Sequence, residues 1–184
     1  ICMVDLPYLL NMNIDNIPDI KYIYDKDKAT IYKEKYFNTD KQKIGIFFKG
    51  NQNVFKNRSI PLKEMSSLFS LNNCKFYSFQ KNDEENQLEQ FKQELVDLGT
   101  TFEDFSDTAS ALVNLDVLVT IDSGIAHLAG ALGVRTFLML PYANEWRWFD
   151  DTKTTPWYES LELFRQKEEG DWHSVINEIY SKLK

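Results

Sequence analysis

Cysteine is scarce in this chain, and the few residues of that type are placed uselessly for cross-linking. Cys2 and Cys74 stand far apart with no CxxC and no histidine-rich neighbour, so neither a disulfide framework nor a zinc-ligand spacing is present. Long apolar runs are missing too: the longest are strand-sized, well short of the ~20 residues that cross a bilayer as a helix. Positive charge is not in excess. Lys+Arg 21 against Asp+Glu 28 leaves a net charge of −7, the wrong sign for a protein that grips nucleic acid through a broad basic face, and this favours a small-molecule partner. The chain opens on Ile1 without a basic n-region and apolar h-region, so no signal peptide is visible; it reads as a piece of a longer, cytoplasmic protein. Three phosphate and nucleophile fingerprints are also absent. Gly45 and Gly50 do not form GxGxxG, no P-loop occurs, and the turn at Ser123 is not GxSxG. The second strand ends in Ser78-Phe79-Gln80, where a nicotinamide-binding fold wants an acid for the ribose.

What is present fits one domain with a real core: 184 residues, 43% of them hydrophobic. Residues 1–43 are polar, rich in Tyr and Asn and interrupted by Pro7 and Pro18, and read as an irregular connecting arm. Residues 44–184 alternate short apolar runs with helical patterns. Strands are expected at 44–48, 75–79, 117–121, 135–140 and 161–165. Helices are expected at 61–71, at 85–98 with Leu88, Phe91, Leu95 and Leu98 at helical spacing, from Asp107 or Thr108 onward, at 124–132 and at 171–183. That alternation predicts βαβ units and an α/β, doubly wound parallel sheet of Rossmann-like type. In such sheets ligands lie beyond the carboxyl ends of the strands, at the point where the strand order reverses, which is where the loops after 44–48 and 117–121 are expected to meet.

Two loops carry unusual chemistry. Val117-Leu118-Val119-Thr120-Ile121 delivers the turn Asp122-Ser123-Gly124 into the small-residue helix that holds His127. The first N–H groups of that helix have no intrahelical partner, and Ser123 adds a hydroxyl where Gly124 lets the backbone approach closely, so phosphate or diphosphate is the natural guest. The loop after the first strand, from Lys49-Gly50-Asn51 to Arg58-Ser59, is the other. Between Ile44 and Lys63 there are four cations and no acid in a chain that is acidic overall. Arg58 is the candidate for charge-assisted bonds to a diphosphate, with Lys49 or Lys56 helping, against the plainer reading of a solvated loop with Ser59 as a helix cap. Asp25-Lys26-Asp27 has the form of a metal-binding pair but reads as a solvated charge cluster, and no metal site is expected. In the aromatic loop 141–149, Trp148, together with Trp157 beyond it, reads either as a stacking surface or as a staple of the loop.

Taken in order, Ile44-Gly45-Ile46-Phe47-Phe48-Lys49-Gly50-Asn51, Arg58-Ser59-Ile60-Pro61-Leu62, Ser78-Phe79-Gln80, Asp107-Thr108-Ala109, the turn and helix at 122–133, Trp146-Arg147-Trp148, Pro156-Trp157-Tyr158 and Leu163-Phe164-Arg165-Gln166 fall in one register. Residues 44–184 thereby resemble the C-terminal half of GT-B glycosyltransferases, in particular the heptosyltransferase-like group often attached to tetratricopeptide repeats, and more distantly the O-linked N-acetylglucosamine transferases. The resemblance implies a domain that binds a nucleotide-sugar donor for metal-independent transfer, without a cofactor. It places Lys49, Arg58, Gln80, Asp122, Ser123, Gly124 and His127 at the donor, with Ser123 and Gly124 on the diphosphate and Gln80 near the nucleoside. Acceptor and general base would belong to an N-terminal half or repeat domain, so no catalytic residue is nominated. A non-catalytic module retaining the fold and a phosphate-ester hydrolase are the competing readings.

Overall fold

In the computed structural model, which describes residues 5–18, 22–50, 57–83, 85–150 and 152–184, one sheet runs through the protein with every strand pairing parallel. Its strands are β1 (Gln42–Phe47), β2 (Cys74–Ser78), β3 (Leu95–Asp97), β4 (Val117–Ile121), β5 (Thr136–Leu140) and β6 (Leu161–Arg165), in the spatial order β3-β2-β1-β4-β5-β6. This is the doubly wound Rossmann-like order, and its reversal point lies between β1 and β4, as the sequence predicts. Helices α1 (Leu6–Leu9), α2 (Lys26–Tyr36), α3 (Phe105–Leu112), α4 (Gly124–Ala131) and α5 (Trp172–Leu183) complete the described elements together with short 3₁₀ turns.

Both faces of a parallel sheet must be covered, and alternation along the strands divides the core accordingly. Ile44 and Ile46 of β1 and Val117, Val119 and Ile121 of β4 face one layer, closed by Trp172, Val175, Ile176 and Ile179 of α5 and by Leu62, Met65 and Leu68 of the 3₁₀ turns. Tyr77 and Leu118 face the other, under Leu112 of α3 and Ile125 and Ala129 of α4. Each fully buried aliphatic side chain of this kind contributes roughly 1.5–3 kcal/mol relative to exposure.

Four local expectations change. Residues 61–71 form 3₁₀ turns at Leu62–Met65 and Leu68–Ser70 rather than a helix. Residues 85–98 likewise give only a 3₁₀ turn at Leu88–Phe91 and then the edge strand β3, so Leu95 is buried by pairing beside β2 instead of by a helical stripe. The short helix begins earlier than Asp107: Asp104 caps α3, and the Asp107 carboxylate accepts from Glu103 N at 2.7 Å. The arm is not irregular throughout, because α2 is capped by Asp25, whose Oδ1 accepts from Asp27 N at 3.0 Å and Lys28 N at 2.9 Å. That cap explains the first acid of Asp25-Lys26-Asp27. Lys28 then reaches Asp107 at 2.8 Å and ties α2 to α3; burial pushes the Asp107 pKa up, but Lys28 and the backbone donors outweigh it and hold the carboxyl below its usual range. Among the described residues no helix is long and apolar enough to cross a membrane.

Candidate functional site

The loops after β1 and β4 leave the sheet side by side, because these strands are paired from Ile44↔Val117 to Phe47↔Thr120. The first loop is closed at its base by Gly50 N donating to Ser59 Oγ at 3.1 Å and Ile60 N donating to Phe48 O at 2.9 Å. Ser59 therefore pins the loop instead of capping a helix. Lys56 and its neighbours at 51–55 lie outside the described residues. Half-buried Arg58 packs into the open side of Gly50: a Cβ there would stand 3.0 Å from Arg58 Nε and 3.4 Å from Ile121 Cδ1. Glycine at 50 thus leaves room on that side for both the Arg58 guanidinium and the Ile121 side chain of β4.

Gln80 is buried, and its side chain is committed to backbone. Its Oε1 accepts from Lys49 N at 3.0 Å, and its Nε2 donates to Lys49 O and Asn82 O, each at 3.1 Å. It clamps the start of the first loop to the end of β2. The Lys49 ammonium turns to Glu85 at 2.9 Å, across the β2 loop.

After β4, buried Asp122 leads into Ser123, whose extended backbone starts α4. Ser123 Oγ donates back to Ile121 O at 3.1 Å and lies 3.4 Å from Thr120 Oγ1. No side chain caps α4, and while Ala126 N donates to Ser123 O at 3.1 Å, Gly124 stands exposed at the positive end of the helix dipole. Exposed Gly124 is shared by two adjoining clefts. One of ≈ 720 Å³ runs along the arm past Tyr24, Phe105 and His127; the other, of ≈ 350 Å³, is lined by Phe47, Phe79, Phe102 and Lys81.

His127 is held by residues that sequence spacing does not connect to it. Its ring stacks on fully buried Trp148 with centroids 5.3 Å apart and planes at 22°, and Nδ1 lies 3.1 Å from Tyr158 Oη. Arg147 Nη1 lies 3.5 Å from Nε2. A guanidinium only donates, so Nε2 is the acceptor and Nδ1–H donates to Tyr158. Burial holds the imidazole below its ordinary pKa of 6.5; the Asp122 carboxylate pulls the other way, and the Arg147 cation adds to the depression. Tyr158 reaches His127 only because Gly130, one turn further along α4, offers no side chain: a Cβ there would fall 2.4 Å from Tyr158 Cγ. Trp157 Nε1 donates to Arg147 O at 2.7 Å. Trp148 and Trp157 are therefore staples of the aromatic loop, while Tyr142 and Trp146 remain exposed.

The candidate residues accordingly form two groups on adjacent loops: Lys49, Arg58 and Gln80 after β1 and β2, and Asp122, Ser123, Gly124 and His127 after β4. The pairings of Arg147 and Tyr158 with His127 are not legible in the chain, although Trp146-Arg147-Trp148 and Pro156-Trp157-Tyr158 mark their places. Among the described residues, no three or more His, Cys, Asp or Glu side chains cluster as a metal site.

No protein-family model and no curated protein matches the sequence. Solved structures do match its fold. Against the Escherichia coli ADP-heptose LPS heptosyltransferase II the TM-score is 0.67 at 12% identity, over 92% of this chain and 56% of that one. The glycosyl transferase family 9 protein of Veillonella parvula gives 0.68 at 14% identity, over 97% and 56%. The chain has the fold of half a GT-B heptosyltransferase. A third structure, E. coli heptosyltransferase WaaC with ADP, gives 0.58 at 13% identity, covering 85% of this chain and 48% of that one. The chain spans about half the length of these glycosyltransferases, and the shared architecture is the six-stranded parallel sheet with its interleaved helices.

Proposed function

We propose that this domain is the C-terminal, donor-binding half of a glycosyltransferase and holds a nucleoside-diphosphate sugar at the β1/β4 crevice. One observation carries the reading: Arg58 packs on Gly50, on the side where Ile121 of β4 also lies, and the loop after β4 leads into α4, whose start no side chain caps. A guanidinium and a set of backbone N–H groups are what a diphosphate requires, and the same groups stabilise it as a leaving group without a metal ion. The solved structures support the reading through fold, and one of them is a heptosyltransferase with ADP. Acceptor and general base come from the other half of a longer chain or from a repeat domain attached to it. A hydrolase is disfavoured because Ser123 Oγ bonds Ile121 O and neighbours Thr120, neither of which is a base.

Calorimetric titration with ADP, UDP, GDP and CMP in EDTA tests the proposal. Selective binding of one nucleoside diphosphate that Arg58→Ala weakens by about tenfold or more is the expected result. A folded sample that binds none of them refutes donor binding by this half.

A further inference from the structure

We infer that Arg165 is a positioning residue for the cleft at His127: its guanidinium latches a strained turn at 146–149 and thereby fixes Trp148 and Arg147 on the imidazole. What the latch does for a ligand rests on the donor-binding reading; the latch itself rests on contacts alone. Register brings Arg165 to its place. Leu140, the last residue of β5, pairs with Arg165 at the end of β6, so the loop that leaves β5 starts beside it. Gln166 holds the start of that loop, its Oε1 accepting from Tyr142 N at 3.1 Å. Half-buried Arg165 holds the far end: Nη2 donates to Phe149 O at 2.7 Å and to Trp148 O, and Nη1 donates to Thr152 O.

That far end needs holding. Phe149 has φ 55° and ψ 173°, a backbone region that glycine occupies far more readily than a bulky residue. The other non-glycine residues with positive φ among the described residues are Asn11 and Asn86, a type that tolerates it. A cation that forks across three carbonyls offsets the strain, and Asn144 Nδ2 adds a weaker bond to Phe149 O at 3.3 Å.

The latched turn is also what covers His127. Trp148, whose carbonyl Arg165 takes, stacks its ring on the imidazole at 5.3 Å, and Arg147, one residue earlier, lies 3.5 Å from Nε2. His127 in turn lines the ≈ 720 Å³ cleft together with Gly124. Release of the turn would uncover the imidazole and withdraw the Arg147 cation. Both changes raise the His127 pKa, because burial and Arg147 hold it down while Asp122 pulls it up. Tyr158 on Nδ1 and Glu145 on Arg147 complete the titratable groups around the ring.

The test is an NMR titration of the His127 imidazole, assigned by its loss in His127→Gln, in wild type, Arg165→Met, Arg165→Lys, Phe149→Gly and the Phe149→Gly/Arg165→Met double variant. Arg165→Met is expected to move the midpoint upward, and Arg165→Lys, which keeps the charge without the fork, to move it less. Glycine at 149 removes the strain, so the double variant is expected to return to the midpoint of Phe149→Gly. An unchanged midpoint in Arg165→Met, or the same upward shift with and without glycine at 149, overturns the latch. If neither Arg165 variant stays folded, Phe149→Gly against Phe149→Ala decides, since both lose the ring and only glycine relieves the strain; a melting temperature for Phe149→Gly no higher than for Phe149→Ala overturns it. Calorimetry with the nucleoside diphosphate that wild type selects should show Arg165→Met weakened about threefold or more, and an unchanged affinity beside a shifted midpoint overturns the role of the latch at the site. Absence of nucleotide binding by wild type refutes the donor-binding reading and leaves the midpoints to decide the latch.

Discussion

Replacing Gly130 by alanine adds one methyl group to α4 at the point where the Tyr158 ring lies on the helix. The new Cβ would fall 2.4, 2.7 and 2.8 Å from three ring atoms, against an ordinary contact of 3.4 Å, so the ring must withdraw by roughly 1 Å. Overpacking of this kind costs about 1–3 kcal/mol, while alanine in place of glycine returns about 0.5–1 kcal/mol of helix propensity. A net loss of about 1–2 kcal/mol is expected, with weakening of the His127 Nδ1–Tyr158 Oη bond of 3.1 Å. Urea unfolding of Gly130→Ala, Tyr158→Ala and the double variant isolates the cause. With the ring gone, the same glycine-to-alanine change should become stabilising. If Gly130→Ala costs as much in the Tyr158→Ala background as in wild type, Tyr158 is not what the glycine accommodates, and the account of how His127 is held fails.

Other outcomes follow from the same geometry. Arg58→Ala should weaken nucleoside diphosphate binding by about 1.5–3 kcal/mol in calorimetry, and Gly50→Ala should weaken it in the same direction by displacing the Arg58 side chain. Gln80→Met keeps the volume but leaves Lys49 N and O without their partner, so an unfolding free energy lower by about 2–3 kcal/mol is expected; a loss under about 1 kcal/mol in urea would count against the clamp. The His127 pKa is lowered on folding, so between the folded value and 6.5 the unfolded chain binds more protons and stability rises with pH. The contribution is complete above about pH 6.5 and is lost as pH falls through the folded pKa; His127→Gln should flatten that slope, and an NMR titration placing the imidazole midpoint at or above 6.5 would contradict the burial argument.

The outer frame of the fold was legible in the chain because it rests on local pattern. Runs such as Val117-Leu118-Val119-Thr120-Ile121 are apolar on both faces, as only a strand buried in a parallel sheet requires, and Asp122-Ser123-Gly124 followed by small residues marks a strand-to-helix turn whatever surrounds it. The approximate places of β1, β2, β4, β5 and β6, of α4 and α5, and the reversal between β1 and β4 all follow from such segments. The spacing of Leu88, Phe91, Leu95 and Leu98 misled, because one helical period over so short a stretch is equally met by a 3₁₀ turn whose Phe91 meets Phe69 and a strand whose Leu95 lies beside Phe76. The competition was decided by the free edge of β2, a partner about twenty residues back.

Site chemistry divides along the same line. That Arg58, Ser123, Gly124 and His127 are the chemically unusual residues was evident from charge reversal and turn composition alone. Their working relationships were not: Gln80 spends its amide on the Lys49 backbone, Arg58 lies on Gly50, and His127 is fixed by Trp148, Tyr158 and Arg147 from beyond β5. Sequence by itself determined the approximate places of β1, β2, β4, β5, β6, α4 and α5 and which residue types stand at their ends, since these depend on neighbours a few positions away. Which side chains meet was decided only by tertiary structure, because sheet order joins loops that the chain separates.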